Sequence, residues 1–319
     1  MNMNRKIYLC ILLLATMTSF SSWGKYPDKP IVYVVPYLPG GTNDNLARII
    51  AKYWSAKLGQ SIIVENRSGA GGTIGAAYVA NSKPDGYTLL NASVSNLAIG
   101  PQLMKVNFDP FKDFASIGHL GGSRSVIAIN PKLPINTIGE LIEYAKKNPG
   151  KLTYGTSGNG SPGNISLEYL KLLAGIDIRH IPYKGSSQAL TDAVGGNIDL
   201  VSDPLANSFV KNGKLKALAF FGTPDAPDLP GVPSLQKIYP QWNFSGSYVA
   251  MAPSKTPPET LNILRTTLQE VLRDPEVIKA ISELGVSTKI MSPSEVDDLI
   301  LGTYNTSQKI IEKAKITAE

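Results

Sequence analysis

The stretch IVYVVPYLPGGTNDNLARIIAKYW, Ile31 to Trp54, decides the fold class. Its β-branched opening, Ile31-Val32-Tyr33-Val34-Val35, predicts a buried strand. Leu38-Pro39-Gly40-Gly41 reads as a turn. Thr42, Asn43 and Asp44 are good helix N-cap residues, and Leu46, Ile49, Ile50 and Tyr53 follow at helical spacing. Strand, glycine turn and helix start together aim unpaired backbone N–H groups at one point. The helix dipole adds partial positive charge there, so the place suits an anion such as a carboxylate. Any α/β protein contains such turns, and this stretch alone does not make a site.

Working outward, 319 residues are enough for two compact lobes with sizeable cores. A hydrophobic content of 43% with 18% charged residues excludes wholesale disorder. Arg5 and Lys6 precede an apolar run from Ile7 to Met17, and Ser22 and Gly24 supply small residues at −3 and −1. This pattern predicts a secretory signal peptide over residues 1–24, too short to span a bilayer. Cys10 lies inside it, followed by Ile-Leu-Leu, which argues against a lipid anchor. The mature chain then has no cysteine and no disulfide, which suits a bacterial periplasmic protein. Loss of Arg5 and Lys6 leaves 29 basic against 25 acidic residues, a net charge of +4 in place of +6. That mild, dispersed excess fits small anionic ligands and does not point to nucleic acid.

Strands and helices alternate along the mature chain, which is α/β logic. Strands are expected at Ser61–Glu65, Tyr87–Asn91, Ile178–Tyr183, Ile198–Asp203 and Leu215–Phe221. Extended structure is expected from Ile117 to Ile129, broken at Gly121-Gly122. Helices are expected at Thr73–Asn81, Ile138–Lys147, Ala189–Gly195, about Pro257–Leu272, Pro275–Leu284 and Pro293–Lys315. Ser93 to Asn96 reads as a polar loop, and Thr223 to Pro233 as an irregular, proline-rich return path.

A second informative stretch, KLTYGTSGNGSPGNISLEYLKLLAG from Lys151 to Gly175, repeats the opening design: short strand, glycine–serine loop, amphipathic helix. It is followed by a polar loop, Lys184-Gly185-Ser186-Ser187, and a strand ending at Asp203. If each cradle sits in its own lobe, one small anion can be gripped from both sides, as in a hinged two-lobed binding protein. Spacing alone leaves open whether both cradles instead share one sheet.

Enzymatic readings find less support. Gly158-Asn159-Gly160-Ser161-Pro162-Gly163 formally matches G-x-G-x-x-G, with Asp177 at the distance of a ribose-binding acid. The motif is short, however, and does not occupy the first βαβ unit of a domain. The G-x-S-x-G elbow fails at Ser157, where Asn159 replaces the second glycine. His119 and His180 both lie in apolar, strand-like contexts that suit hydrogen-bonded structural histidines better than catalytic bases. No cysteine and no histidine pair offers zinc-ligand spacing. Asp199 and Asp203 could pass for paired carboxylates, although strand alternation favours one exposed and one cleft-facing residue. No catalytic set, metal site or cofactor is expected.

Against this background the residues carry a family resemblance. Tyr26-Pro27-Asp28-Lys29-Pro30-Ile31 and Pro39-Gly40-Gly41-Thr42-Asn43-Asp44 resemble the N-terminal signature of the Bug-type solute receptors, the periplasmic binding proteins of tripartite tricarboxylate transporters. The resemblance continues through Val64 to Gly72, Lys83 to Leu90, Asn148 to Tyr154, Ser157 to Ser161 and His180 to Gly185. Leu190-Thr191-Asp192 and Gly195-Gly196-Asn197 complete it, so it covers essentially the whole mature chain in order.

The resemblance implies an α/β, two-lobed type II periplasmic-binding-protein (flytrap) fold, with lobe 1 over 25–123 plus 223–319 and lobe 2 over 124–222. It implies a small organic carboxylate held by backbone amides and hydroxyls, then delivered to membrane permease subunits. The expected ligand-binding set is Pro39, Gly40, Gly41, Thr42 and Asp44 in the first lobe, with Ser93 and Ser95. From the second lobe come Thr156, Ser157, Gly158, Gly160, Ser161, Lys184, Gly185 and Asp203. Neutral preorganised donors of this kind bind a carboxylate without desolvating a buried cation. Two positions depart from the family pattern: Asn164 stands where His is common, and Ser247, beside Tyr248, where an aromatic is usual. A periplasmic monomer without enzymatic activity is expected. The alternatives are a secreted α/β serine hydrolase and a ligand sensor feeding a signalling kinase.

Overall fold

The computed structural model describes residues 26–222, 226, 228–242, 244–314 and 316. The signal peptide read in residues 1–24 lies outside them. The strands are β1 (Ile31–Val35), β2 (Ile62–Asn66), β3 (Thr88–Ser93), β4 (Phe114–Ser123), β5 (Ser125–Ile129), β6 (Thr153–Thr156), β7 (Arg179–Pro182), β8 (Leu200–Asp203), β9 (Lys216–Phe221), β10 (Gly246–Pro253) and β11 (Val286–Ser287). They form two sheets, ordered β11-β4-β10-β3-β1-β2 and β7-β6-β8-β5-β9. In each sheet, parallel strands adjoin antiparallel ones: β1 runs parallel to β2 and β3, and β6 parallel to β7 and β8. Strand β10 is antiparallel to both β3 and β4, and β5 to both β8 and β9.

Helices of two turns or more are α1 (Thr42–Leu58), α2 (Thr73–Ala80), α3 (Ile138–Lys147), α4 (Pro162–Ala174), α5 (Ser186–Gly195), α6 (Pro258–Arg273), α7 (Pro275–Glu283) and α8 (Pro293–Ala314). They cover both faces of the sheets, so the central strands are buried on both sides, while the edge strands β2 and β7 are partly exposed. In β1, Ile31, Tyr33 and Val35 face one core with Leu46, Trp54 and Leu264, while Val34 faces another. In β5, Ile127 and Ile129 face the core shared with Val34, while Val126 and Ala128 pack on Val201 and Leu190. That shared core takes side chains from both sheets and from α4 and α8. Trp54 shows how side chains lock this arrangement. It is fully buried, meets Tyr33 edge-on at 5.9 Å, and donates from Nε1 to Thr267 Oγ1 at 2.8 Å. Burial of a side chain this large stabilises by roughly 2–3 kcal/mol.

The chain crosses from the first sheet to the second at Arg124, whose N–H donates to Gly285 O at 2.8 Å. The break therefore falls at Arg124, not at Gly121-Gly122. Strand β4 continues through both glycines, which pair with Tyr248 and Ser247 of β10. Strand β10 itself, buried along its whole length between β3 and β4, was not read from the sequence. The supposed polar loop at Ser93 is the start of a short helix, Val94–Ala98, whose N-cap is Ser93: its Oγ accepts from Ser95 N at 3.3 Å. The first long helix is capped by Gly41 with no side-chain cap bond, so Thr42, Asn43 and Asp44 are helical residues rather than caps.

Candidate ligand-binding site

The loop after β1 reaches across to the second sheet. Leu38 N donates to Lys184 O at 3.4 Å, and Ser187 Oγ donates to Pro39 O at 3.0 Å. Thr42 Oγ1 donates to Asp203 Oδ1 at 2.9 Å. Gly71 approaches Asn159 so closely that a Cβ there would overlap the Asn159 carbonyl oxygen. These contacts close a cavity between the sheets. Tyr37, Gly41, Asn43, Ser93 and Tyr248 line it from one side, and Ser157, Pro162, Gly163, Ser186, Ser202, Asp203 and Pro204 from the other. It contains about 440 Å³ of atom-free space, part of it continuous with solvent.

Its electrostatics come from helix ends. Gly41 caps α1, Ser161 caps α4 and Gly185 caps α5, while Ser93 caps the short Val94–Ala98 helix. Each of these N-termini places a cap or first-turn residue on the cavity wall: Gly41 and Asn43, Pro162 and Gly163, Ser186, and Ser93. A helix N-terminus carries roughly half a positive charge. Convergence of several on one cavity makes it attractive to an anion although, among the described residues, no Lys, Arg or His lines it.

Two polar groups stand out on the walls. Tyr33 OH donates to Asn91 Oδ1 at 2.7 Å, and Asn91 Nδ2 donates to Asn43 Oδ1 at 2.9 Å and to Asn43 O at 3.0 Å. This chain fixes the Asn43 amide with Oδ1 occupied and leaves Nδ2, in a side chain only 5% exposed, without a partner. At the tip of β8, also in the cavity wall, Asp203 accepts from Thr42 Oγ1, from Leu205 N at 2.8 Å and from Ser186. Burial pushes the Asp203 carboxyl up, against those hydrogen bonds. Burial also pushes the Tyr37 and Tyr248 phenols up, so both are neutral donors at physiological pH.

The expected residues divide into four groups. Gly41, Ser93, Ser157 and Asp203 line the cavity, and Thr42 touches it through Asp203. Gly158 and Lys184 line a more open hollow that shares Ser157 with the cavity and is bounded by Gly69, Ala70 and Gly71. Pro39 and Gly185 form the seam between the sheets, where a Cβ on Gly185 would lie 2.9 Å from Leu38 Cβ.

The remaining residues hold loops in shape. Asp44 accepts from Gly40 N at 2.9 Å, from Arg48 at 2.9 and 3.0 Å, and from Asn66 at 2.8 Å. Burial opposes its ionisation, but these donors hold its carboxyl below the ordinary range. Both Asp44 and the Gly40 amide are thereby occupied within the loop. Likewise Gly158 N donates to Thr156 Oγ1 at 3.2 Å and Gly160 N to Asn164 Oδ1 at 2.9 Å. The amides of Gly40, Gly158 and Gly160 are thus taken by neighbouring side chains, contrary to expectation. Ser161 accepts from Asn164 N at 3.4 Å, and Ser95 lies buried in its helix.

Both histidines are hydrogen-bonded structural groups. His119 Nδ1 meets Lys289 O at 2.8 Å; His180 Nε2 meets Thr156 Oγ1 at 2.7 Å and its ring stacks on Tyr154 at 4.7 Å. Neither lines the cavity wall that contains Ser157. Asp199 accepts from Thr153 N and Oγ1, so only Asp203 of the two aspartates lines the cavity. Asn164 supports the second loop from behind, and Tyr248, not Ser247, reaches the cavity. Tyr37, Ser186 and Ser202 were not foreseen. The signal for Ser202 lay one residue before Asp203, and for Tyr37 two residues beyond β1.

Residues 46–316 match the family described as tripartite tricarboxylate transporter family receptor. The chain belongs to this family. The receptor is 33% identical over 307 residues to protein BugT of Bordetella pertussis, covering 94% of each chain. The solved structure of the periplasmic binding protein BugD aligns with a TM-score of 0.87 and 30% identity, over 92% of the receptor and 100% of that chain. An R. palustris protein solved with adipate aligns with a TM-score of 0.87 and 30% identity, over 92% of the receptor and 99% of that chain. The family is one of solute receptors, not an enzyme class. No described helix is long and apolar enough to cross a membrane.

Proposed function

We propose that this receptor captures a small organic carboxylate in the cavity between its two sheets and delivers it, unaltered, to the permease subunits of a tripartite transporter. The observation that carries this reading is the convergence of helix N-termini on a cavity between the two sheets whose wall, among the described residues, has no cationic side chain. A carboxylate satisfies those N–H groups and the Asn43 amide, and adipate in the R. palustris relative is a cargo of that class. In the same reading the two sheets are the cores of two hinged lobes, residues 25–123 with 223–319 and residues 124–222. The cross-sheet contacts of Thr42, Pro39 and Leu38 then belong to the closed state. His180 is engaged by Thr156 and His119 by Lys289, and neither lines the cavity with Ser157, so the cavity is read as a binding site and not as a hydrolytic one. The receptor works as a periplasmic monomer.

A thermal-shift screen of the mature protein against organic acids tests the proposal. Binding raises the melting temperature in proportion to ligand concentration over Kd. A rise with at least one carboxylate is expected. A response to a nicotinamide cofactor alone, or ester turnover abolished by Ser157→Ala, would overturn it.

A further inference from the structure

The loop from Ser157 to Gly160 is held by a chain of side chains that starts away from the cavity. Gly160 N–H can only donate, so the Asn164 atom facing it at 2.9 Å is the amide oxygen. That fixes the rest of the amide. Nδ2 donates to Tyr154 OH at 3.0 Å and lies 3.3 Å from His180 Nδ1, one hydrogen for each. The Tyr154 oxygen is therefore an acceptor on this side, and its own proton goes to Glu168 Oε1 at 2.6 Å. Glu168 also accepts from the Lys171 ammonium at 2.9 Å.

A second arm leaves the same amide. With Nδ1 accepting from Asn164, a neutral His180 carries its proton on Nε2, 2.7 Å from Thr156 Oγ1. Burial pushes the imidazole down and keeps it neutral. Thr156 Oγ1 in turn accepts from Gly158 N and donates to Gly158 O, both at 3.2 Å. Gly158 and Gly160 are thus both tied to Asn164, and Ser157, which lines the cavity, lies between Thr156 and Gly158.

The direction of every bond in the first arm is set from its two ends. A carboxylate paired with an ammonium accepts, and a backbone N–H donates. Tyr154 is fully buried and Asn164 is 3% exposed, which leaves little water to replace a lost partner. Without an acceptor at position 168, the Tyr154 hydroxyl would turn its proton towards Asn164. The amide would answer by flipping, which brings Nδ2 against Gly160 N–H, donor against donor.

We propose that Glu168, which does not line the cavity, is a positioning residue for solute binding: through Tyr154 OH and the Asn164 amide it sets the shape of the Ser157–Gly160 loop. This rests on the carboxylate-receptor reading, which makes Ser157 part of the binding wall, and adds the residues that hold that wall in place. Glu168 acts as an acceptor, not as half of an ion pair.

The test is a double-mutant cycle on Glu168 and Tyr154 with two readouts. One is hydrogen exchange at the Gly160 amide of the unligated protein, and the other is affinity for the acid giving the largest thermal shift. Glu168→Leu should speed that exchange and weaken binding, each by roughly tenfold or more. Glu168→Gln, which keeps an oxygen for Tyr154, should stay within about threefold of wild type in both. Lys171→Gln, which removes the cation and leaves the acceptor, should do the same. Tyr154→Phe keeps the ring against His180 and removes the hydroxyl, so it should speed Gly160 exchange by about threefold or more. In that background Glu168→Leu should add nothing further. Melting temperatures check the fold of each variant, and if Glu168→Leu does not fold, Gly160 exchange in Tyr154→Phe decides. Wild-type behaviour of Glu168→Leu, equal damage from Glu168→Gln, or effects that add in the double variant would overturn the inference. So would faster Gly160 exchange with unchanged affinity. Failure of every acid to bind would overturn the carboxylate reading, while the exchange results would still decide whether Glu168 sets the loop.

Discussion

Thr42 Oγ1 donates to Asp203 Oδ1 at 2.9 Å, joining the first turn of α1 to the tip of β8 across 161 residues of chain. The donor belongs to the first sheet's side of the cavity and the acceptor to the second, so the bond exists only while the sheets are together. Hydrogen bonds to charged groups contribute about 1.5–3 kcal/mol. Thr42→Val keeps the shape of the side chain and deletes the donor. Its affinity for the best acid in the screen should therefore fall by roughly 10- to 100-fold, with little change in the unligated melting temperature. Titration calorimetry measures this directly. An affinity within threefold of wild type would mean that closure does not depend on the bond.

Gly71 and Asn159 give a steric version of the same test. Gly71 has φ +61, and a Cβ there would overlap the Asn159 carbonyl oxygen. Ala in that left-handed conformation costs on the order of 1 kcal/mol by itself, which lowers melting by a few degrees. The clash with backbone of the other sheet is the larger effect and acts only on closure. Gly71→Ala should fold and lose binding by more than 100-fold. Gly41→Ala should be milder, because the Cβ there would meet the rotatable Ser186 Oγ at 2.9 Å. Gly41→Ala as damaging as Gly71→Ala would contradict this ordering.

The two described tryptophans should report closure unequally. Trp242 stacks on Tyr169 of α4 at 5.0 Å and lies 5.1 Å from Phe221 at the end of β9, where the chain leaves the second sheet. Trp54 is sealed within the first core beneath Thr267. Ligand-dependent fluorescence should disappear in Trp242→Phe and persist in Trp54→Phe. The reverse pattern would place the moving boundary elsewhere.

How much of this could be read from the chain follows from the range of the forces involved. The strand–turn–helix units at Ile31–Trp54 and Lys151–Gly175 were legible because periodicity, glycine and proline act within a few residues. Contacts between the two sheets' sides, such as Thr42–Asp203, link residues far apart and leave no local trace, so the sequence could nominate both residues but not their pairing. The glycine amides misled for a related reason. Gly40, Gly158 and Gly160 looked like free donors, yet Asp44, Thr156 and Asn164 a few residues away accept from them. Strand β10 escaped because a short apolar run, Tyr248 to Ala252, has the same composition in a strand or a buried helix, and only its place between β3 and β4 decides.

His180 ties acid sensitivity to the second loop. Its Nε2 lies 2.7 Å from Thr156 Oγ1, which in turn accepts from Gly158 N. Burial, aided by the nearby Lys171 ammonium, pushes the imidazole down to about 4. The unfolded chain takes up this proton near pH 6.5, whereas the folded chain takes it up only near pH 4. The neutral ring therefore contributes stability that is fully present above about pH 6.5 and is lost as pH falls towards 4. The loss amounts to at most about 3 kcal/mol. Burial pushes His119 down as well, so the wild-type decline contains both residues. His180→Gln should be less stable than wild type at pH 7, because it loses the stack on Tyr154. It should then lose distinctly less stability between pH 6.5 and 4. Urea melts at several pH values measure both effects. A variant that declines as steeply as wild type over this window would show that His180 is not the titrating group.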